Sequence, residues 1–407
     1  MRINHLSLTD FRNFSRLDMD VPGGSLLLVG GNAQGKTSLL EAIFYLATFT
    51  SFHASVDRQL INLLASHEPL VVARIVADFS RQYKNDPGNV ISHHLEVRLI
   101  QESNEGNNGS RFRKEVLFDG VKQKVGEVVG KFNAVLFLPQ MLRIIEGSPQ
   151  ERRRYLDLAF GQVYPQYTQH LSDYNHAVSQ RNALLRQLSE RGGDPEQLVF
   201  WDEQVALHGS QIIFTRIQAI QALEKHLARI HHELTRAGEV LRFSYQPAYD
   251  PMPDKPLQYT LPIETAVDRS GISLEEIKDG FGERLRDLRP QEIARGMTTI
   301  GPHRDELRFL CNGMDLGIYG SRGQARTAVL STKLAEVIWI KDKTGQFPVL
   351  LLDEVLAELD PHRRSDLLAR LLTSEQSLLT TTDLDLFSND FVQNSQVWRI
   401  KGGQIIY

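Results

Sequence analysis

The sequence predicts an α/β fold carrying a long α-helical insertion. Three observations lead there. Residues 26 to 49 read LLLVGGNAQGKTSLLEAIFYLATF: an apolar run, a glycine-rich turn and an apolar-rich helical stretch. Residues 349 to 354, VLLLDE, are a second apolar run ending in two acids. From about 150 to 295, apolar residues recur at spacings of three, four or seven, the period of a helix. The α/β parts predict a mixed sheet with flanking helices, plus an antiparallel β-subdomain. The expected domains are a head of residues 1–145 with 296–407, and a helical arm of residues 146–295.

Composition sets limits. At 407 residues, the chain is long enough for two or three units of domain size. Its 41% apolar and 24% charged content is that of a soluble globular protein. A net charge of −4 excludes a global basic field, so any nucleic-acid face has to be a local patch. The single cysteine, Cys311, excludes an internal disulfide and suits a reducing cytosol. It falls in an alternating strand pattern, which predicts a small core residue. No apolar run reaches about 18 residues, and MRINHLSLTDF has no apolar signal core, so a cytoplasmic location without membrane contact is expected.

The elements follow in order. Ile3, Leu6 and Leu8, then Leu17, Met19 and Val21, predict two strands joined at Phe11-Arg12-Asn13-Phe14. Val71 to Phe79 alternates by two, as do Leu95, Val97 and Leu99. Asp119-Gly120 marks a hairpin, so an antiparallel meander follows the first helix. Residues 80 to 93 and 101 to 114 read as polar loops, with ESNEGNNGS as a loop tip. Ala134 to Leu138 predicts a buried strand ended by Pro139-Gln140, and Ser148-Pro149 predicts a helix start. The runs Tyr167 to Leu188 and Ile213 to Leu234, separated by Gly192-Gly193-Asp194-Pro195, predict a helical hairpin. A Pro-rich loop covers 245 to 256, and a helix from 273 is expected to end at Arg289-Pro290. Leu307, Phe309 and Cys311, then Met314, Leu316 and Ile318, predict a hairpin around Asn312-Gly313. A helix is expected over 322 to 342, and a last hairpin around Gly402-Gly403.

The first motif has a chemical reading. Gly30, Gly35, Lys36 and Thr37 fit G-x-x-x-x-G-K-[ST], with a strand before and a helix after. The glycines let successive backbone N–H groups of Gly30, Asn32, Ala33, Gln34, Gly35, Lys36, Thr37 and Ser38 turn toward phosphate oxygens. The helix N-terminus adds positive dipole. Lys36 is placed to reach the β- and γ-phosphates, and the Thr37 hydroxyl to hold Mg²⁺. Asp353 is the partner expected for Mg²⁺, and Glu354 the group that orients or deprotonates the attacking water, with Lys36 and Glu354 as catalytic residues. Both motifs have to end on the same edge of one parallel sheet. Some readings stay open. Arg12 and Asn13 are neighbours of the phosphate loop or polar residues on a bend. Gln140 senses Mg²⁺ or the attacking water, or is a surface residue. Arg152, Arg153 and Arg154 are a solvated helix face or contact phosphate. His303-Arg304 sits near the nucleotide or braces the head.

Ser321-Arg322-Gly323-Gln324 opens the helix that precedes the Asp-Glu strand. It resembles the signature motif of ABC-type ATPases, and Glu358-Leu359-Asp360 is similar to their D-loop. The resemblance implies that Ser321, Gly323 and Gln324 of one subunit cap the γ-phosphate bound by another, with Asp360 close by. The insert is far longer than that of transporter ATPases and far shorter than an SMC coiled coil. FRNF at 11–14, GNAQGKTSLLEAI at 31–43, EGSPQERRRYLD at 146–157, GPHRDEL at 301–307 and GSRGQ at 320–324 make the whole chain similar to the RecF family of bacterial recombination mediators. Departures are Gln140-Met141 after the proline, Ala325 after Gln324, and a longer segment around 80–110. The resemblance implies ATP and Mg²⁺ as cofactors and an ATP-dependent homodimer. It implies binding to double-stranded DNA and to single-strand/double-strand junctions at gaps, with Arg143, Arg152, Arg153 and Arg154 as candidate contacts, and work with RecR and RecO to help load RecA. A weak, DNA-stimulated ATP hydrolysis then releases the dimer. A transporter ATPase subunit and a non-hydrolysing scaffold are the competing readings; the insert argues against the first and Glu354 against the second.

Overall fold

The computed structural model describes residues 1–82, 88–103, 110–252 and 267–406. Most of the expected loop tip at 102–110, and the end of the Pro-rich run, lie outside them. The chain opens with β1 (Arg2–Phe11), β2 (Phe14–Asp20) and β3 (Gly24–Val29), then α1 (Lys36–Thr48). Next come β4 (Leu70–Gln82), β5 (Val90–Ser103), β6 (Ser110–Phe118), β7 (Val121–Gln123) and β8 (Ala134–Phe137). The helices α2 (Pro149–Gly161), α3 (Tyr167–Arg191) and α4 (Val199–Leu234) follow, then β9 (Leu241–Gln246) and α5 (Leu274–Arg295). Strands β10 (Glu306–Cys311) and β11 (Met314–Asp315) precede α6 (Arg322–Thr344). The chain closes with β12 (Val349–Asp353), α7 (Pro361–Leu371), β13 (Gln376–Thr381), β14 (Ser395–Lys401) and β15 (Gln404–Ile406).

It divides into two compact units, Met1–Met141 with Glu336–Tyr407, and Leu142–Ala335. The division differs from the expected one over residues 142–145 and, at greater length, over 296–335, which join the helical unit rather than the head. The reason for the longer stretch is pairing: β10 lies antiparallel to β9, with Phe309 opposite Phe243, so this segment completes a sheet of the inserted unit.

The first unit holds two six-stranded sheets. One is the antiparallel meander β2-β1-β4-β5-β6-β7, whose alternating apolar residues are buried on one face. Its strands β4 to β6 reach further into the polar stretches than the sequence suggests, as far as Gln82, Ser103 and Ser110. Backbone ladder bonds such as Arg81 opposite Ile91 carry them on where side-chain patterning has faded. The other sheet runs β15-β14-β3-β13-β12-β8, parallel except for β15. Its strands β3, β8 and β12 are near-continuous apolar runs, as burial on both faces requires. Leu39, Leu40 and Ile43 of α1 join the core that both sheets share.

In the second unit α3, α4 and α5 pack together and the three-stranded sheet β11-β10-β9 lies against α4. Two local expectations change here. Helix α5 runs through Pro290 to Arg295 instead of stopping. Glu292 is wholly buried and meets Arg181 at 2.6 Å, an anchor that offsets the backbone hydrogen bond a proline cannot donate. Strand β11 lasts only two residues, because the Asp315 carboxylate accepts from Gly317 N at 2.8 Å and starts a single helical turn, Leu316–Tyr319.

Candidate active site

Strand β3 feeds the loop of residues 30–35, and α1 leaves it at Lys36. Gly35 has φ +111°, and a Cβ there would lie 2.7 Å from Asn13 Nδ2. A Cβ on Gly30 would lie 2.5 Å from the Ile400 carbonyl oxygen, so the loop accepts no side chain at either place. The far end of the chain also pins the loop: Gly402 N donates to Gln34 Oε1 at 2.6 Å and Gly403 N to Gln34 O at 3.1 Å.

The Lys36 ammonium is folded back into this loop. It donates to Gly30 O at 2.6 Å and Gly31 O at 3.0 Å, and lies 3.3 Å from Glu354 Oε1. Only 4% of its side chain is exposed. The acids arrive on β12, one strand beyond β13. The Thr37 hydroxyl donates to Asp353 Oδ1 and Oδ2 at 3.0 and 2.9 Å. Thr380, opposite Asp353 on β13, donates to Asp353 Oδ1 at 2.6 Å and accepts from Glu354 N at 3.1 Å. Glu354 itself adopts φ 52°, a conformation a non-glycine residue keeps only when its surroundings impose it. The Thr380 bond to its N–H is one such constraint.

A cleft of about 800 Å³ opens over these groups, lined by residues 31–38, Arg12, Asn13, Gln140, Asp353 and Glu354. Arg12, Asn13 and Gln140 stand on the wall of this cleft. The Arg12 guanidinium meets both oxygens of the buried Glu41 at 2.8 Å and donates to Gln59 O at 3.1 Å. The donor set fits a nucleoside triphosphate with Mg²⁺. Backbone N–H groups and a buried cation suit the phosphates, and the hard oxygens of Thr37 and Asp353, already in contact, suit the ion.

The signature segment lies in the second unit. Ser321 Oγ accepts from Gln324 N at 3.2 Å while Gln324 Oε1 accepts from Ser321 N at 3.0 Å, a reciprocal cap that opens α6. Ser321 and Gly323 are exposed, and Gln324 Nε2 donates to Glu239 Oε1 at 2.9 Å. Asp360, in the first unit, caps α7 through His362 N and Arg363 N, both at 3.1 Å.

The basic cluster divides. Arg152 grips both oxygens of Glu306 at 2.7 and 2.8 Å and donates to Gly147 O at 2.7 Å. Arg153 donates to Asp305 O at 2.7 Å, and burial holds its guanidinium below the usual range. Neither belongs to a free surface patch, a correction to the expectation for both. Arg143 and Arg154 are exposed. His303 braces the second unit instead of the head: its Nδ1 lies 2.6 Å from the Tyr174 hydroxyl, and burial lowers its pKa to about 4.

Sequence reasoning missed Glu41, Thr380 and Gln59. A charged residue inside the apolar run of α1 was the available signal for Glu41. Thr380 lies in QSLLTT, which carries no acid or glycine to draw attention.

The profile "RecF/RecN/SMC N terminal domain" matches residues 2–402. The chain is 38% identical to the DNA replication and repair protein RecF of Chloroflexus aurantiacus, over 100% of this chain and 99% of that one. It is 34% identical to the protein of the same name from Lacticaseibacillus casei, with the same coverage. Among solved structures it resembles "the recombination mediator protein RecF-ATPrS in RecFOR pathway", with a TM-score of 0.80, 28% identity, and coverage of 99% of this chain and 97% of that chain. An Smc head domain from Pyrococcus furiosus, at TM-score 0.50 and 15% identity, shares the fold alone. With a phosphate loop and an Asp-Glu strand on one parallel sheet, and these likenesses along its full length, the chain belongs to the RecF family of ABC-type ATPases.

Proposed function

We propose that this protein is an ATP-gated DNA-binding ATPase of recombinational repair and replication. The observation that carries the reading is the grouping of Lys36, Thr37, Asp353 and Glu354 around one cleft, in a chain whose Ser321 helix start is exposed. Gly30, Asn32, Ala33, Gln34, Gly35 and Ser38 supply the phosphate cradle, with Arg12 and Asn13 at its rim. Lys36 turns from the Gly30 and Gly31 carbonyls to the β- and γ-phosphates. Thr37 and Asp353 would hold Mg²⁺, which when bound would neutralise charge on the phosphates, and Gln140 lines the same cleft. Glu354 accepts a proton from the water that attacks the γ-phosphorus, and the bond to the β-phosphate oxygen breaks. Ser321, Gly323 and Gln324 of a second copy cap the γ-phosphate, with Asp360 beside them, so the homodimer depends on ATP.

In this reading the dimer retains double-stranded DNA at gaps or single-strand/double-strand junctions, with Arg143 and Arg154 as contacts. It works in the cytoplasm with RecO and RecR to help load RecA, and slow, DNA-stimulated hydrolysis releases it. RecF relatives named for DNA replication and repair, and a RecF structure named for the RecFOR pathway, support this assignment. The test is light scattering with Mg²⁺, with and without ATP and a short duplex. The expected result is a monomer that dimerises only with ATP and then retains duplex. Glu354→Gln should accumulate the ATP dimer, and Ser321→Arg should bind ATP without dimerising. A protein that stays monomeric with ATP in both wild-type and Glu354→Gln forms would falsify the proposal.

A further inference from the structure

In the second unit, α4 ends near the strand pair β9–β10, and this places three ligand-type side chains together. His231 comes from the last turn of α4, Glu239 from the approach to β9, and Cys311 from the end of β10. Cys311 pairs with Leu241, which brings it beside Glu239. One donor atom from each of the three lies within 4.8 Å of the other two. His231 and Cys311 are 0% and 2% exposed, while the Glu239 side chain is 22% exposed, which leaves one side open for entry.

The hydrogen-bond directions are informative. Ser331 Oγ donates to Thr327 O at 2.7 Å, so it accepts from His231 Nδ1–H at 3.0 Å. An imidazole fixed in that tautomer turns the Nε2 lone pair toward Glu239 Oε2, 3.1 Å away. A lone pair and a carboxylate oxygen at that distance need a positive charge between them, either a proton or a metal ion. Nitrogen, oxygen and sulfur donors in one group favour a borderline-soft divalent cation over Mg²⁺ or Ca²⁺.

We propose that His231, Glu239 and Cys311 form a Zn²⁺ site, with water in the fourth position. Ser331 orients His231, as an outer partner of a metal-bound imidazole does. The site is wired to the signature segment: Glu239 Oε1 accepts from Gln324 Nε2 at 2.9 Å, and Gln324 Oε1 accepts from Ser321 N at 3.0 Å. An ion that fixes Glu239 therefore also fixes the cap that opens α6. The nucleotide cleft contributes no ligand, so the site stands or falls independently of the ATPase reading.

The test is titration of the full, chelator-stripped chain with Co²⁺, read by absorbance. Because the chain has one cysteine, a thiolate-to-cobalt charge-transfer band can arise only from Cys311. The expected result is such a band saturating at one equivalent, abolished by Zn²⁺ competition and absent from urea-unfolded protein. Ser331→Ala should weaken Co²⁺ about tenfold or more while the band persists, and Cys311→Ser should lose the band. If Cys311→Ser does not fold, the wild-type band and its Zn²⁺ competition still decide. A folded wild-type chain without the band overturns the proposal and leaves the cluster as hydrogen bonding around a shared proton.

Discussion

Lys36 and Arg216 are both buried cations, and the molecule compensates them in opposite ways. Arg216, in the second unit, meets Asp305 Oδ2 and Asp157 Oδ1 at 2.8 Å each, the Pro302 carbonyl at 2.6 Å, and the Tyr167 hydroxyl at 3.1 Å. Its two carboxylates are bound in turn by Tyr245 and Tyr167, at 2.5 and 2.6 Å. Lys36 has two neutral carbonyls and one carboxylate at 3.3 Å, on a side chain that is 42% exposed. A charge closed in by carboxylates and hydroxyls holds a fold together and offers nothing to an incoming anion. A charge parked on carbonyls can turn to a phosphate at small cost. The difference matches the proposed division of labour, in which Arg216 holds the fold and Lys36 binds phosphate.

The contrast can be broken most severely at Arg216. Arg216→Met should destabilise the second unit by about 3–5 kcal/mol, because Asp305 stays buried without its counter-charge. Urea unfolding followed by tryptophan fluorescence reads this; a loss below about 1 kcal/mol would show that the network is not compensatory. Lys36→Met should do the reverse. ATP turnover should fall about 100-fold or more while the unfolding free energy changes by no more than about 1–2 kcal/mol, well short of the loss at Arg216.

A third prediction sharpens the structural side through pH. His303 is held neutral by burial, with Arg304, Arg153 and Arg216 nearby, and its pKa falls from 6.5 to about 4. Between those values the unfolded chain binds the proton and the folded chain does not, so stability rises with pH across the window and is lost as pH falls through it. The full effect is about 3 kcal/mol. His303→Gln should flatten the stability profile between pH 4 and 6.5; an unchanged profile would remove His303 as its source. The smallest effect is expected at Thr380. Thr380→Val removes one bond from Asp353 and leaves the Glu354 N–H without that acceptor, at a cost of about 1–2 kcal/mol in stability, with weakened Mg²⁺-dependent ATP binding by calorimetry.

The parts of the site carried by consecutive residues were legible in the sequence. The phosphate loop and the Asp353-Glu354 strand end each announce themselves within a few positions, because local backbone shape and one charge define them. What could not be read were choices set by distant partners. Arg152 looked like a surface charge because Glu306 is remote in sequence. Pro290 looked like a helix stop because Glu292 and Arg181 meet only after folding. Residues 296–335 looked like head because the pairing of β10 with β9 spans the whole of α5. Strand β13 went unread for a similar reason: QSLLTT is buried by β3 and β12, not by a pattern of its own.

The position of β3 has a consequence for how the protein is made. Its two neighbours are β13 and β14, residues 376–381 and 395–401, and the loop after it is tied down by Gly402 and Gly403. A ribosome delivers β3, residues 24–29, long before those neighbours at 376–381 and 395–401. The meander β1-β2-β4-β5-β6-β7 is assembled from sequence-near pieces and is free to form early. Until they emerge β3 waits as an apolar strand with both edges unsatisfied, the kind of surface that draws chaperones or pairs with another chain. Nascent chains stalled before Gln376 should therefore be prone to aggregate and unable to retain nucleotide, and competence for ATP should appear abruptly once residues 376–403 have emerged rather than grow with chain length.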